Sequence, residues 1–284
     1  MSLGKENYKK ISFQGAHGAY SDIACREAFP GLETIPCDTF EEAFAAVQTG
    51  LSDLAMIPVD NSLAGRVADV HHLMPKSGLS IIGEHFLKVE HALLGIKGAT
   101  LDDIKHVHSH LHALPQCRKV IKELKLTPHV HADTAGAAQE VSQKNDKGHA
   151  AIASKLASEL YGLDVLRGDV QDADHNTTRF IILSRDNSVP EMVEGQTYLT
   201  SFIFRVRNIP AALYKAMGGF ATNGVNMVKL ESYVNPQFQV AQFYADVTAH
   251  PSERKLQLAM EELKFFAEEI TVLGTYPTHT FRNH

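Results

Sequence analysis

The sequence has no tryptophan and only three cysteines in 284 residues. Cys25, Cys37 and Cys117 stand too far apart for a disulfide framework or a paired CxxC metal site. Their scarcity points to a reducing compartment, and a chain of this length buries a full core without covalent staples. Basic runs are also missing, and the formal net charge is -6. That argues against a general nucleic-acid binder and leaves room for a local basic pocket holding a small anion. No apolar run reaches membrane-spanning length, and the charged start MSLGKENYKK leads into no apolar signal core. The expectation is a cytoplasmic protein whose partners are small molecules or copies of itself, with no nucleic acid and no membrane.

What is present is an alternation of short apolar strands and amphipathic helices. KISFQG reads as a strand ending in glycine and AYSDIACREAF as a helix; ETIPC, TFEEAFAAVQTG and LAMIPV repeat the unit, with Thr39 as N-cap and Gly50 as stop. A second series runs from LSIIGEHFLKVEHALLGI through KHVHSHLH, a helix at ALPQCRKVIKEL, a strand at PHVHA, a helix at TAGAAQEVSQKN and a strand and helix in AAIASKLASELYG. TRFIILSR is a strong strand. The class is α/β with mostly parallel sheet in two lobes. If TRFIILSR returns to the first lobe, the chain crosses twice and leaves a cleft between them.

After SRDNSVPEMVEGQ, which suits a linker, the pattern changes. TSFIFRV, PAALYKAMGGFATNG, NMVKLESYV, FQVAQFYADVTA, SERKLQLAMEELKFFAEEI and TVLGTYP give strand, helix, two strands, a long amphipathic helix capped by Ser252, and a strand. The order βαββαβ is ferredoxin-like. A domain of about 80 residues is a size that often relies on pairing with a partner.

Four stretches carry candidate chemistry. HVHSHLHALPQC places histidines at every second position, which on one strand face would suit zinc or copper. The helix signal after it ends that geometry near His110, so no metal site is expected and attention moves to Ser109, at a strand's C-terminal end, and Gln116 beyond it. FQGAHGAYSD offers backbone N–H groups to an anion or is a plain tight turn. In IPVDNSLAGRV, Asn61 follows a buried strand at the end where α/β sheets place ligands, and an Asx-type turn explains it equally. In DADHNTTRFII, Thr178 would act as a positioned hydrogen-bond donor, and Arg179 would either pair with Asp172 or Asp174 or hold a substrate carboxylate.

Taken in order, FQGAHGAYSD, IPVDNSLAGRV, VHSHLHALPQC, DTAGAA, ASKLASELYGLDVL and NTTRFIILSR, then PAALYKAM and NGVNMVKLES, resemble prephenate dehydratase with a C-terminal ACT regulatory domain. The resemblance implies a two-lobed catalytic unit like periplasmic ligand-binding proteins over residues 9–187, lobe 1 being about 9–85 and 172–187 and lobe 2 about 86–171, and an ACT domain over 198–277. It implies conversion of prephenate to phenylpyruvate in phenylalanine biosynthesis, with no cofactor and no metal. Thr178 matches the family's essential threonine, Asn61, Ser109 and Gln116 match polar pocket residues, and Arg179 matches the arginine of the same motif. L-phenylalanine as allosteric effector would meet Ala212, Leu213, Asn226, Glu231 and Ser232, in a homodimer or homotetramer.

This chain departs from the family pattern at Leu111 and His112, where proline and glutamine are usual, at Ala211, where glycine is usual, and at Tyr233 and Val234, where arginine and proline are usual. Arogenate dehydratase, the same chemistry on the aminated substrate, and a non-catalytic amino-acid sensor are the alternatives; the Asn61, Ser109 and Thr178 set argues against the sensor.

Overall fold

The structure is a computed structural model that describes residues 8–207, 209–234 and 240–283. The described residues fall into two compact units, one from the chain up to His71 together with His85–Ile181, the other from His72–Glu84 and Ile182 onwards.

The first sheet is built from β1 (Lys10–Gln14), β2 (Glu33–Cys37), β3 (Leu54–Asn61), β4 (Gly65–Arg66) and β5 (Ser80–Lys88), with α1 (Tyr20–Ala28), α2 (Phe40–Thr49) and α3 (Ala68–Leu73) between them. Its start follows the expected alternation. Thr39 accepts the Glu42 N–H, the Glu42 carboxylate accepts the Asp38 N–H, and Gly50 closes α2 at φ 81° in the left-handed region. Ile11, Phe13, Leu54, Met56 and Ile57 are fully buried in this sheet. Each such side chain contributes roughly 2 kcal/mol of transfer free energy.

The second sheet holds β6 (Ala92–Gly95), β7 (His106–His110), β8 (Thr127–His131), β9 (His149–Ala153) and β10 (Asp164–Arg167), with α4 (Arg118–Glu123), α5 (Thr134–Lys144) and α6 (Lys155–Tyr161). Its order is β10-β6-β9-β7-β8, with β7 parallel to β8 and β9. The chain then returns as β11 (Thr177–Ser184), which lies in the first sheet, giving the order β2-β1-β3-β11-β5. TRFIILS thus crosses back, and the two-lobed α/β body is the observed fold.

The third sheet consists of β12 (Tyr198–Val206), β13 (Asn226–Val234), β14 (Val240–Thr248) and β15 (Ala267–Pro277), with α7 (Ala212–Thr222) and α8 (Arg254–Phe266) in βαββαβ order. It is antiparallel throughout, in the order β13-β14-β12-β15, the ferredoxin-like arrangement. Phe202, Phe204, Phe220, Phe243, Leu256 and Leu263 form its core. Two features tie β5 to the C-terminal segment within this unit. A Cβ added at Gly274 would lie 2.0 Å from the Ile81 carbonyl oxygen, so only glycine fits. Buried Glu84 receives both Arg282 Nε (2.6 Å) and Nη2 (2.9 Å).

Several boundaries differ from expectation. The last helix stops at Phe266, because Ala267–Ile270 instead pair with β12, Ile270 facing Phe204. Ser252 does not cap it; its hydroxyl bonds to His250 Nδ1 at 2.7 Å and the N-cap position is Glu253. The helix expected from Ala113 begins as a 3-10 turn at Leu114–Gln116 and becomes α-helical only at Arg118. Short β10 and α3 were not anticipated, and Phe238 and Gln239 of the expected strand FQVAQFYADVTA lie outside the described residues.

Candidate functional site

The site begins where β3 ends. Asn61 Oδ1 accepts two backbone N–H groups, from Leu63 at 2.9 Å and Ala64 at 2.8 Å. This is the Asx-type turn that was one of the two readings of IPVDNS, and it orients the amide. Asn61 Nδ2 donates one hydrogen to Asn176 Oδ1 (2.8 Å) and the other to Thr178 Oγ1 (2.9 Å). Every hydrogen-bonding position of Asn61 is occupied, so its task is to hold neighbours rather than substrate. Ser62 stitches the same two loops together, donating to the His175 carbonyl (2.6 Å) and accepting from the Thr177 N–H (2.9 Å).

Thr178 is nine-tenths buried on β11, and among the described residues no protein group takes its hydroxyl hydrogen. Since its oxygen already accepts from Asn61, that hydrogen is available to the cavity it lines. The cavity is about 780 Å³, within the usual range for small-molecule sites. Asn61, Gln116, Thr178, Phe180, His91 and Arg66 are among the residues around it. The first residues of three helices line it too: Tyr20 and Ser21 of α1, Phe40 and Glu41 of α2, and Thr134 of α5. Their dipoles raise the local potential and, with the Arg66 guanidinium, favour carboxylates. In FQGAHGAYSD, Gly15 N–H bonds to the Cys37 carbonyl and Gly18 N–H to Asp22 Oδ2. Those two amides therefore serve the turn, and the anion capacity belongs to the helix start.

Gln116 Oε1 accepts from Asn176 Nδ2 at 2.7 Å and contacts His91 Nε2 at 3.1 Å. On the far side of His91, Nδ1 lies 2.7 Å from the Tyr20 hydroxyl. Burial holds the His91 pKa below its ordinary value, partly offset by the bond to Gln116, and burial raises that of Tyr20. His91 and Tyr20 thus present uncharged groups near neutral pH. His110 and His112 stand at the cavity as well, and burial followed by the charge of His112 depresses His110.

Three of the five expected site residues come together here: Asn61, Gln116 and Thr178. Ser109 is fully buried in β7 and donates to the Ile152 carbonyl of β9 at 2.6 Å, away from the cavity. Arg179 follows Thr178 along a strand, so it points to the opposite face, 3.7 Å from Asp60 rather than towards Asp172 or Asp174. Asp172 instead caps α4, accepting from Arg118 and Lys119 N–H. Asn176, His91 and Tyr20 were not singled out. Asn176 stood beside the threonines in HNTTRF, whereas nothing local marked His91 or Tyr20, which meet Gln116 only through the fold.

In the histidine run β7 ends at His110, as expected, so His106, His108 and His110 share a face and His112 falls outside the strand; His129 and His149 join that face from the neighbouring strands. His106 stacks on His149 (4.6 Å between centroids) and His108 on His129 (4.8 Å), while His108 Nε2 lies 2.8 Å from His149 Nδ1 and His106 Nδ1 lies 3.1 Å from His129 Nε2. Among the described residues no three His, Cys, Asp or Glu side chains converge as metal ligands.

A two-lobed α/β body with oriented amides, a poised hydroxyl and converging helix N-termini defines a small-molecule enzyme that handles an anion. A family model described as prephenate dehydratase matches residues 11–188, and the chain belongs to that family of enzymes. It is 52% identical over 274 residues to a bifunctional N-acyl-homoserine lactone acylase/prephenate dehydratase of Komagataeibacter europaeus, covering 96% of this chain and 97% of that protein. It is 35% identical over 289 residues to arogenate dehydratase/prephenate dehydratase 2, chloroplastic, of Arabidopsis thaliana, covering 98% and 75%. The prephenate dehydratase structure from Arthrobacter aurescens in complex with L-Phe superposes with a TM-score of 0.85 at 28% identity, covering 94% of this chain and 89% of that one.

Proposed function

We propose that the protein converts prephenate to phenylpyruvate, carbon dioxide and water, and that phenylalanine regulates it through the third sheet. The carrying observation is Thr178, whose oxygen accepts from Asn61 and whose hydroxyl hydrogen, taken by no protein group among the described residues, is available to the cavity it lines. In the reaction the electron pair of the ring C–carboxylate bond moves into the ring and the C–O bond breaks. Thr178 donates to the departing oxygen, which leaves as hydroxide and takes up a proton to become water. A well-placed donor of this kind is worth about 3 kcal/mol. The helix N-termini and Arg66 face the two carboxylates. Aromatisation drives the reaction, so the residues need only position and polarise.

Regulation would involve Ala212, Leu213, Asn226, Glu231 and Ser232 on α7 and β13, and the L-Phe held by the Arthrobacter aurescens relative supports it. Glu231 is engaged by Lys229 Nζ (3.0 Å) and the Tyr233 hydroxyl (3.1 Å). Assembly as a homodimer or homotetramer would use β13, an edge strand that exposes Val228, Leu230 and Val234. The domain limits 9–187 and 198–277 and a cytoplasmic location belong to the same reading.

The test is purified protein with prephenate or arogenate, following phenylpyruvate or phenylalanine, with Thr178→Ala alongside and phenylalanine titrated in. Turnover of prephenate, inhibited by phenylalanine and lost in the variant, is expected; no turnover of either substrate ends the reading. A second reading, cleavage of N-acyl-homoserine lactones, is favoured by the 52% identity to the bifunctional relative and is assayed with the same preparation.

A further inference from the structure

We infer that Asn176 is a positioning residue for this reaction, one that imposes a single hydrogen-bond polarity from Asn61 to Gln116 and so turns the Gln116 amide hydrogens, beside the Thr178 hydroxyl, towards the cleft. The kinetic part rests on the dehydratase reading; the polarity itself does not.

A carboxamide can ordinarily be turned over, exchanging oxygen for nitrogen. Here the chain is anchored at one end by backbone. The Leu63 and Ala64 N–H groups can only donate, so Asn61 Oδ1 must face them and Nδ2 must face Asn176. Asn176 therefore offers Oδ1 to Asn61 and its own Nδ2 to Gln116, at 2.8 and 2.7 Å. Gln116 must in turn offer Oε1, which places its Nε2 hydrogens elsewhere, and no protein acceptor takes them among the described residues. Gln116 lines the cavity, so those hydrogens are the second donor set of the site.

The polarity continues past Gln116. With Oε1 as acceptor, His91 must carry its hydrogen on Nε2, leaving Nδ1 as an acceptor that faces the Tyr20 hydroxyl. The hydroxyl's hydrogen is shared between that nitrogen and the Glu90 carbonyl, 2.8 Å away. Asn176 is 1% and His91 2% exposed, so water does not substitute for a missing partner. A leaving hydroxyl or carboxylate thus meets hydrogens from both Thr178 and Gln116, and Asn176 enforces this without lying along the cavity wall.

Asn176→Asp tests it, because the carboxylate still accepts from Asn61 but has no hydrogen for Gln116. Gln116 must then turn over, presenting its oxygen to the cleft and its nitrogen to His91, which is forced into the Nδ1–H tautomer. The expected result is a kcat loss of about 100-fold, the scale of one misplaced donor, with KM changed less than threefold. Protonating the introduced carboxylate restores the missing hydrogen, so the ratio of variant to wild-type kcat should rise as pH falls. Nitrogen-15 NMR of labelled histidine reads the chain without turnover, and wild-type His91 should be the Nε2–H tautomer even if the variant folds poorly. An Nδ1–H tautomer in the wild type, or a variant whose kcat stays within threefold of wild type at every pH, overturns the inference. A wild-type Nε2–H tautomer with no turnover of prephenate or arogenate supports the polarity and overturns the dehydratase reading instead.

Discussion

The cleft and the histidine face of the second sheet are both polar clusters assembled from several strands, yet they behave oppositely. In the cleft, the amides of Asn61, Asn176 and Gln116 form a chain anchored at Asn61 on two backbone N–H groups, so each bonded atom has one role. On the histidine face, His106, His108, His129 and His149 contact one another through ring nitrogens that exchange donor and acceptor roles. An anchored amide chain is independent of pH over the neutral range. A block of imidazoles is not, because each proton added repels the next.

The largest effect should come from breaking the anchored side. Asn61→Asp removes the hydrogen given to Thr178, so the threonine must donate back to the carboxylate. Steady-state kinetics should show kcat lower by about 100-fold or more. A smaller effect separates the two faces of β11. Arg179→Gln breaks the pairing with Asp60 and should cost roughly 2 kcal/mol in denaturant unfolding, below the range for a fully buried pair because Asp60 keeps some access to water. KM should stay within threefold, and a large rise would return Arg179 to the substrate.

The histidine face should show itself as pH-dependent stability. Burial, followed by the charges of His129 and His149, pushes His108 down to about 4, and burial followed by Lys144 and His106 lowers His149. Glu140 and Asp146 oppose these shifts in part. The unfolded chain takes up these protons near the ordinary histidine value of about 6.5, before the folded one does. The stability is therefore present above about 6.5 and lost as pH falls towards 4. Thermal midpoints should drop by several degrees between pH 7 and pH 5, and His108→Gln should flatten that slope while leaving kcat at pH 7 unchanged.

The smallest expected change lies outside both clusters. Ala211 sits at φ 61°, in the left-handed region, where an L side chain is disfavoured by about 1 kcal/mol. Glycine at this place removes that strain. Ala211→Gly should raise stability by up to that amount in chemical denaturation, since part of the gain is returned as unfolded-chain entropy.

Much of the fold was legible because its signals are local. The Thr39 cap, the Gly50 stop and the apolar runs of β3 and β11 depend on neighbours within a few residues, and they read correctly. The end of α8 did not, because helical spacing through Ile270 lost to cross-strand pairing with β12. DVLR was too short and too exposed to announce β10. In the site, the opposite directions of Thr178 and Arg179 were implied by strand alternation alone, and weighing that alternation would have set Arg179 aside. Tyr20 and His91 had no such signal, being 71 positions apart in sequence.

By itself, then, the sequence determined the α/β alternation, the βαββαβ order, the family, and the Asn61 and Thr178 motifs, since capping, periodicity and turn chemistry act over short spans. Tertiary structure decided which polar groups meet. It sent Ser109 into β-sheet packing, turned Arg179 to Asp60, drew Asn176 between Asn61 and Gln116, and gathered histidines from three strands onto one face. Those pairings depend on sheet order and crossover, which bring together residues far apart in the chain, and no local propensity encodes them.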